Sequence, residues 1–280
     1  MMQKLNSSRP AVRLTILGTA LTAALAAAGH ARADGISGFS NFAANGQAAI
    51  SADNSTLTLT TGQSFQASSA WYKVPQALDN PSLGGFTAQF IYHMTFVRHS
   101  SFDPSEGITF TLQNAAAGTA ALGGNGGGLG YSGITKSASV QLNLATFLDT
   151  PGTVLNTQGK TGQNGGKPYL NTAPVNLKST DPILVTLSYD SAATKLTETL
   201  VDLTTKDTFT TSYVDNLAME VGGATAFIGI TGATGAGTST QSVTAFAFDT
   251  AVVPEPAGLT LAAVGLVGVA VRRWRRQAAT

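Results

Sequence analysis

The 280-residue chain contains no cysteine. That absence excludes a disulfide framework and any thiolate metal site, so an exported form must draw its stability from its core. Charge is scarce, at 11% of residues, and lysines or arginines cluster only at the C-terminal end. The three histidines are too few for a histidine-built centre. Neither His93 nor His99 has a carboxylate or cysteine at ligand spacing, so both read as ordinary strand and loop residues. Also missing is any useful apolar stripe at helical spacing between the two termini, which argues against a helical bundle or an alternating α/β fold.

The two ends read as addresses. Residues 1–33 have a basic start (Lys4, Arg9, Arg13), an apolar run of fifteen residues from Leu14 to Ala28, and Ala31-Arg32-Ala33 as a small-x-small cleavage site. This is the pattern of a signal peptide for signal peptidase, and the run is shorter than the roughly 20 residues of a comfortable membrane span. Residues 251–280 hold Pro254-Glu255-Pro256, a short apolar segment expected to be helical, and Arg272, Arg273, Arg275 and Arg276 around Trp274. A plain membrane anchor with a positive-inside flank would share these features. The combination resembles the PEP-CTERM sorting signal of Gram-negative bacteria. That resemblance implies transient membrane insertion of the tail, cleavage by an exosortase, and delivery to the cell surface or an exopolysaccharide matrix.

Removing both ends reverses the charge. Eight of sixteen basic residues lie in them, but only Glu255 of fifteen acidic ones, so the segment 34–253 carries eight against fourteen, a net −6. An acidic domain without a basic patch is a poor nucleic-acid binder, because phosphate neutralisation supplies most of that affinity.

The middle is built of strands. In residues 85–97, Phe86, Ala88, Phe90, Tyr92, Met94 and Phe96 alternate with Thr87, Gln89, His93 and Thr95. Val185, Leu187 and Tyr189 alternate with Thr186, Ser188 and Asp190. Such a period of two buries one strand face. Similar runs lie near 57–60, 108–113, 139–144, 195–203, 208–213, 226–231 and 243–248, separated by Gly, Asn, Asp and Pro clusters. In the run around 195–203, Glu198 and Asp202 are expected to line the solvent face, and Trp71 to lie in the core or a subunit contact. Many short strands without crossover helices predict one all-β domain over 34–250, an antiparallel β-sandwich.

The stretch "ALGGNGGGLGYSGI" (121–134) has seven glycines in fourteen residues. Gly128-x-Gly130-x-x-Gly133 satisfies a dinucleotide-binding pattern, but no strand precedes it and no helix follows, and no Lys-Ser/Thr completes a P-loop. Leu129, Tyr131 and Ile134 alternate into the next strand, so the segment is not a free spacer. It predicts a loop whose backbone approaches something closely, where a Cβ would clash.

The order of motifs across residues 39–248 resembles the legume-type (L-type) lectins, in particular their bacterial relatives with PEP-CTERM tails. "FSNFAANGQAAI", "GGFTAQFIYHMTF", "SEGITFTLQN", "GGGLGYSGI", "SASVQLNLATF", "VTLSYD", "AFIGITGATG" and "VTAFAF" follow in the family's order. The resemblance implies a concanavalin-like jelly roll with a sugar site in loops at one end, and a glycan or exopolysaccharide as partner. In that family an aspartate and a glycine N–H bond adjacent sugar hydroxyls, an asparagine adds a contact and an aromatic stacks on the ring. A carboxylate acceptor beside a main-chain donor can read a hydroxyl pair. By motif the carboxylate falls on Glu106, preceded by a cis peptide, and the glycine on Gly127 or Gly128. The contacting asparagine falls near Phe147, which is either a stacking aromatic or a residue packed under the loop.

Departures from the family pattern are equally informative. The glutamate and aspartate that hold the family's Ca²⁺ and Mn²⁺ are Gln141 and Asn143 here, and the metal-binding histidine has no counterpart in residues 149–164. Hard cations require charged oxygen ligands, so no metal cofactor is expected, with Asp149 the one carboxylate available to a rebuilt loop. Glu106 is one methylene longer than aspartate, and an ordinary loop carboxylate is the alternative reading for it. The loop 232–242 lies where the family tunes sugar choice. Glycoside hydrolases on this scaffold carry Glu-x-Asp-x-x-Glu on one strand, to set two carboxyls about 5.5 Å apart when retaining. No such run exists here, so no enzyme is expected. The alternative to glycan binding is a structural coat or matrix protein on a lectin scaffold.

Overall fold

A computed structural model describes residues 35–78, 84–96, 102, 104–146 and 150–251. The signal peptide, the sorting tail, Phe147 and Asp149 lie outside the described residues. Among the described residues, no helix is long and apolar enough to cross a membrane.

Fifteen strands follow in chain order: β1 (Ile36–Ser37), β2 (Phe42–Gly46), β3 (Ala49–Ile50), β4 (Thr56–Thr61), β5 (Ala67–Tyr72), β6 (Gln76–Ala77), β7 (Gly84–Thr95), β8 (Gly107–Gln113), β9 (Ser137–Asn143), β10 (Gly152–Thr157), β11 (Ile183–Asp190), β12 (Lys195–Asp202), β13 (Thr208–Val214), β14 (Thr225–Ala233) and β15 (Thr240–Ala251). Among the described residues one short α-helix, α1 (Leu217–Val221), joins β13 to β14, capped by the Asn216 side chain and ended by left-handed Gly222. The strands form two antiparallel sheets. One is eight-stranded, ordered β13-β12-β11-β7-β15-β4-β3 with β1 on β15. The other is seven-stranded, ordered β10-β9-β8-β14-β5-β2 with β6 on β14.

The expected alternation sets the core. Phe86, Ala88, Phe90, Tyr92 and Met94 of β7 are buried, as are Val185, Leu187 and Tyr189 of β11. Phe86 stacks on Phe248 at 5.2 Å between centroids, and lies tilted against Phe110 of the facing sheet at 6.4 Å. Each such side chain contributes about 1.5–3 kcal/mol through burial, which is how a domain without disulfides is held.

β8 and β9 behave differently, because every residue in both is buried. Their outer face is roofed by loops. The segment 114–134 lies over it, with Trp71, Ala121, Tyr131 and Ile134 forming a second apolar cluster and Leu129, Val154 and Tyr169 a third. Trp71 is therefore core, and its Nε1 donates to Ala121 O at 2.7 Å. The hydroxyls under this roof bond to one another: Thr109 to Thr231 at 2.8 Å and Thr111 to Ser139 at 3.0 Å, while Thr231 donates to Leu129 O at 2.7 Å. Gly130 is where the roof touches the sheet. A Cβ there would lie 2.5 Å from Ser68 O and 2.8 Å from Gly232 O, and its φ is +67°. The glycine-rich stretch is a close-approach loop, as its sequence predicts.

One expectation is overturned. Glu198 and Asp202 of β12 do not line the solvent face but are buried, at 0% and 2% exposure. They share strand parity with Leu196 and Leu200, so they enter the interior with them, and local partners replace water. Asp202 accepts the turn N–H groups of Thr204 and Thr205. Glu198 accepts from Thr153 and Tyr213.

Candidate functional site

Glu106 stands immediately before β8, and the Ser105–Glu106 peptide is cis. Its backbone is fixed on both sides: its N–H donates to Ala233 O at 3.0 Å, and its carbonyl accepts from Leu144 N–H at 2.7 Å. Ser105 Oγ donates to Gly237 O at 3.0 Å and lies 3.2 Å from Glu106 Oε1. The other carboxylate oxygen, Oε2, is buried and has no hydrogen-bond partner among the described residues. Burial pushes the carboxyl above its usual value, against the pull of the Ser105 hydroxyl. An acceptor removed from water without a donor is costly.

The β14–β15 connection brings the glycine turn beside this carboxylate. A Cβ on Gly235 would meet Glu106 Oε1 at 2.4 Å and Gly126 Cα at 3.4 Å. The bare Cα of Gly235 thus leaves the space into which the acid and the first residue of the turn both reach. Gly126–Gly128 forms one 3-10 turn, ended by Leu129 at φ +55°. Gly126 N–H donates to Thr234 O and Gly128 N–H to Asn125 O, each at 3.0 Å. The Gly127 N–H has no acceptor among the described residues. Its carbonyl is pinned instead, accepting from Thr161 Oγ1 at 2.6 Å and Asn164 Nδ2 at 3.3 Å. The peptide group is held from behind with its neighbouring donor left open.

Of the sequence-predicted residues, Glu106 lies against Gly235, which also approaches Gly126 of the turn that contains Gly127 and Gly128, and Phe147 and Asp149 fall outside the described residues. Sequence reasoning missed Asn125, Thr161, Asn164 and Gly235. Their signal was faint, since Thr161 and Asn164 act through a loop more than thirty residues away from the turn they hold.

Gln141 and Asn143 do not fit a metal pair. Asn143 Nδ2 donates to Ala145 O and Thr150 O, both at 3.1 Å. Gln141 Nε2 donates to Lys160 O at 2.8 Å, and its Oε1 accepts from Tyr169 and Asn156. Carbonyl oxygens that a hard cation would require are engaged by amide hydrogens, and both carboxylate charges are gone. Among the described residues, no group of three His, Cys, Asp or Glu side chains could hold an ion.

Comparison with known proteins agrees with this architecture. Residues 35–260 match the family described as Legume lectin domain, and residues 252–276 match the PEP-CTERM protein-sorting motif. Among solved structures, the fold is similar to winged bean acidic lectin complexed with methyl-α-D-galactose. The TM-score is 0.62 at 18% identity, over 76% of this chain and 93% of that one. It is also similar to arcelin-5, a lectin-like defense protein from Phaseolus vulgaris, with TM-score 0.60 and 18% identity over 75% and 92%. Peanut lectin with a 9-mer peptide gives 0.61 at 18% identity, over 79% of this chain and 100% of that one.

Proposed function

This chain belongs to the legume lectin domain family, and from that premise we propose that it is an exported glycan-binding protein whose sugar site works without metal. One observation carries the reading: the Glu106 carboxylate, whose Oε2 has no hydrogen-bond partner among the described residues, lies against Gly235 next to the first residue of the turn that contains Gly127. A sugar hydroxyl donates to Oε2, and Gly127 N–H donates to the oxygen of the neighbouring hydroxyl. The two contacts close a ring that a diol matches and a single alcohol does not. Gly127 is preferred over Gly128, whose N–H is already used within the turn. Phe147 and Asp149 are assigned to the same rim on the family motif alone.

Metal independence is supported by the amide network of Gln141 and Asn143, which ties the loop ends directly. Binding without catalysis is supported by the surroundings of Glu106, whose side chain has Ser105 as its hydrogen-bond partner and no second carboxylate beside it among the described residues. The tail carries the PEP-CTERM sorting motif, and we assign processing there to an exosortase, with the mature domain at the cell surface or in an exopolysaccharide matrix.

The test is a glycan array run with and without EDTA. Binding that survives the chelator and disappears in Glu106→Ala supports the reading. Absence of binding to any sugar sinks it in favour of a coat protein on a lectin scaffold.

A further inference from the structure

Phe65 is at odds with its position twice over. Its side chain is 64% exposed, although a phenyl ring favours burial. Its backbone has φ +56°, a left-handed conformation that costs a residue with a Cβ and is usually given to Gly or Asn.

The loop is also locked with unusual thoroughness to the candidate site. Phe65 N–H donates to Gly235 O at 2.9 Å, and Asn125 Nδ2 donates to Phe65 O at 3.1 Å. Thr234 Oγ1 donates to Gln63 O at 2.6 Å and accepts from Gln66 N–H at 3.0 Å. Thr234 N–H completes the clamp at Gln66 O, 3.0 Å. Gly235 is the residue against which Glu106 Oε1 lies, and Asn125 precedes the glycine turn. The backbone of one exposed aromatic is thus tied to Gly235, against which the carboxylate lies, and to Asn125, which leads into the glycine turn.

We infer that Phe65 is a stacking platform for a second sugar ring, next to the one whose hydroxyls meet Glu106 and Gly127. The ligand is then at least a disaccharide, and its second pyranose presents a C–H face to the phenyl ring. A rigid exposed aromatic suits this role, because the ring loses little freedom on binding and the apolar face of a sugar gains a partner that water does not offer. The inference rests on the carbohydrate reading of the site, and the following experiment separates the two.

The full chain is titrated calorimetrically with galactose against lactose, glucose against cellobiose, and mannose against α-1,2-mannobiose. The expected result is that one disaccharide binds more tightly than its monosaccharide. Phe65→Ala should remove that gain, weakening the disaccharide roughly fivefold to tenfold while leaving the monosaccharide Kd and the Tm unchanged. Phe65→Leu, apolar but not aromatic, should behave like Phe65→Ala, and Phe65→Trp should keep the gain. Glu106→Ala should abolish binding of both members of the pair. If Glu106→Ala abolishes binding but no disaccharide gains, or Phe65→Ala leaves the gain intact or weakens both members equally, the platform is refuted and the carbohydrate reading stands. If the native chain binds none of the six sugars, both fall.

Discussion

Thr153 Oγ1 lies 2.9 Å and 2.8 Å from the two carboxylate oxygens of Glu198, tying β10 of one sheet to β12 of the other. Tyr213 OH adds a second donor at 2.9 Å. The carboxylate is fully buried, faces no cation there, and has only hydroxyl donors to replace water. Neutral donors offset part of the desolvation of a charge, and burial still dominates, holding the Glu198 carboxyl up at about 7 against an ordinary 4.5.

A folded-state value above the unfolded one means that the native protein binds a proton the unfolded chain releases. Stability from this group is therefore fully present below pH 4.5 and is lost as pH rises towards about 7, levelling off above it. The gap corresponds to about 3 kcal/mol. Urea denaturation at pH 5 and pH 8 should show a loss of that order in the native chain. Glu198→Gln should flatten the difference, since its amide remains neutral and can still bond both hydroxyls. An equal slope in the two proteins would refute the assignment.

Glu106 shows the same direction of shift at the proposed sugar contact. Its carboxyl is raised by burial, and only the ionised form offers Oε2 as an acceptor in every state. Sugar affinity should then fall on acidification, about tenfold per pH unit once pH is below the raised value. Calorimetry in two buffers of different ionisation enthalpy should register proton release on binding near that value. Affinity that is flat between pH 4 and 8 would count against a carboxylate contact.

Two glycines separate fold from site. Gly130→Ala places a Cβ 2.5 Å from Ser68 O at φ +67°, so both strain and overlap act on the backbone. A loss of about 3 kcal/mol or more in stability is expected. Gly235→Ala has no such backbone penalty, but its Cβ would meet Glu106 Oε1 at 2.4 Å, and the carboxylate must move. The expected outcome there is an almost unchanged Tm with affinity lower by about tenfold. Thermal melts alongside calorimetry distinguish the two.

Much of this architecture was legible in the sequence because it is local. The alternation at Phe86–Met94 needs only the pleat, and the crowded glycines before Tyr131 announce a close approach without saying to what. Glu198 was misread because its burial depends on Thr153, 45 positions earlier in the chain, and nothing within β12 distinguishes a solvated carboxylate from one sharing the inner face with Leu196 and Leu200. Full burial of β8 and β9 was hidden for a similar reason: the roof over them consists of loops, whose composition carries no period. Phe65 was invisible because a left-handed turn is normally announced by glycine or asparagine, and this one is imposed by Asn125 and Gly235 from other loops.

The amides at 141 and 143 offer a direct test of the proposed metal independence. Asn143 Nδ2 links Ala145 O to Thr150 O, both at 3.1 Å. Asn143→Asp replaces the two N–H donors by an oxygen facing two carbonyl oxygens, an arrangement that repels unless a positive charge lies between them. A loss of about 2 kcal/mol at pH 7 is expected from the unpaired carbonyls and the buried charge. The same three oxygens now resemble the start of a hard-cation site, so millimolar Ca²⁺ should restore part of the stability in the variant. The native chain should show no shift in Tm or in sugar affinity with either Ca²⁺ or EDTA. A native Tm that falls on chelation would mean that a cation is held after all, and that the amides are not its replacement.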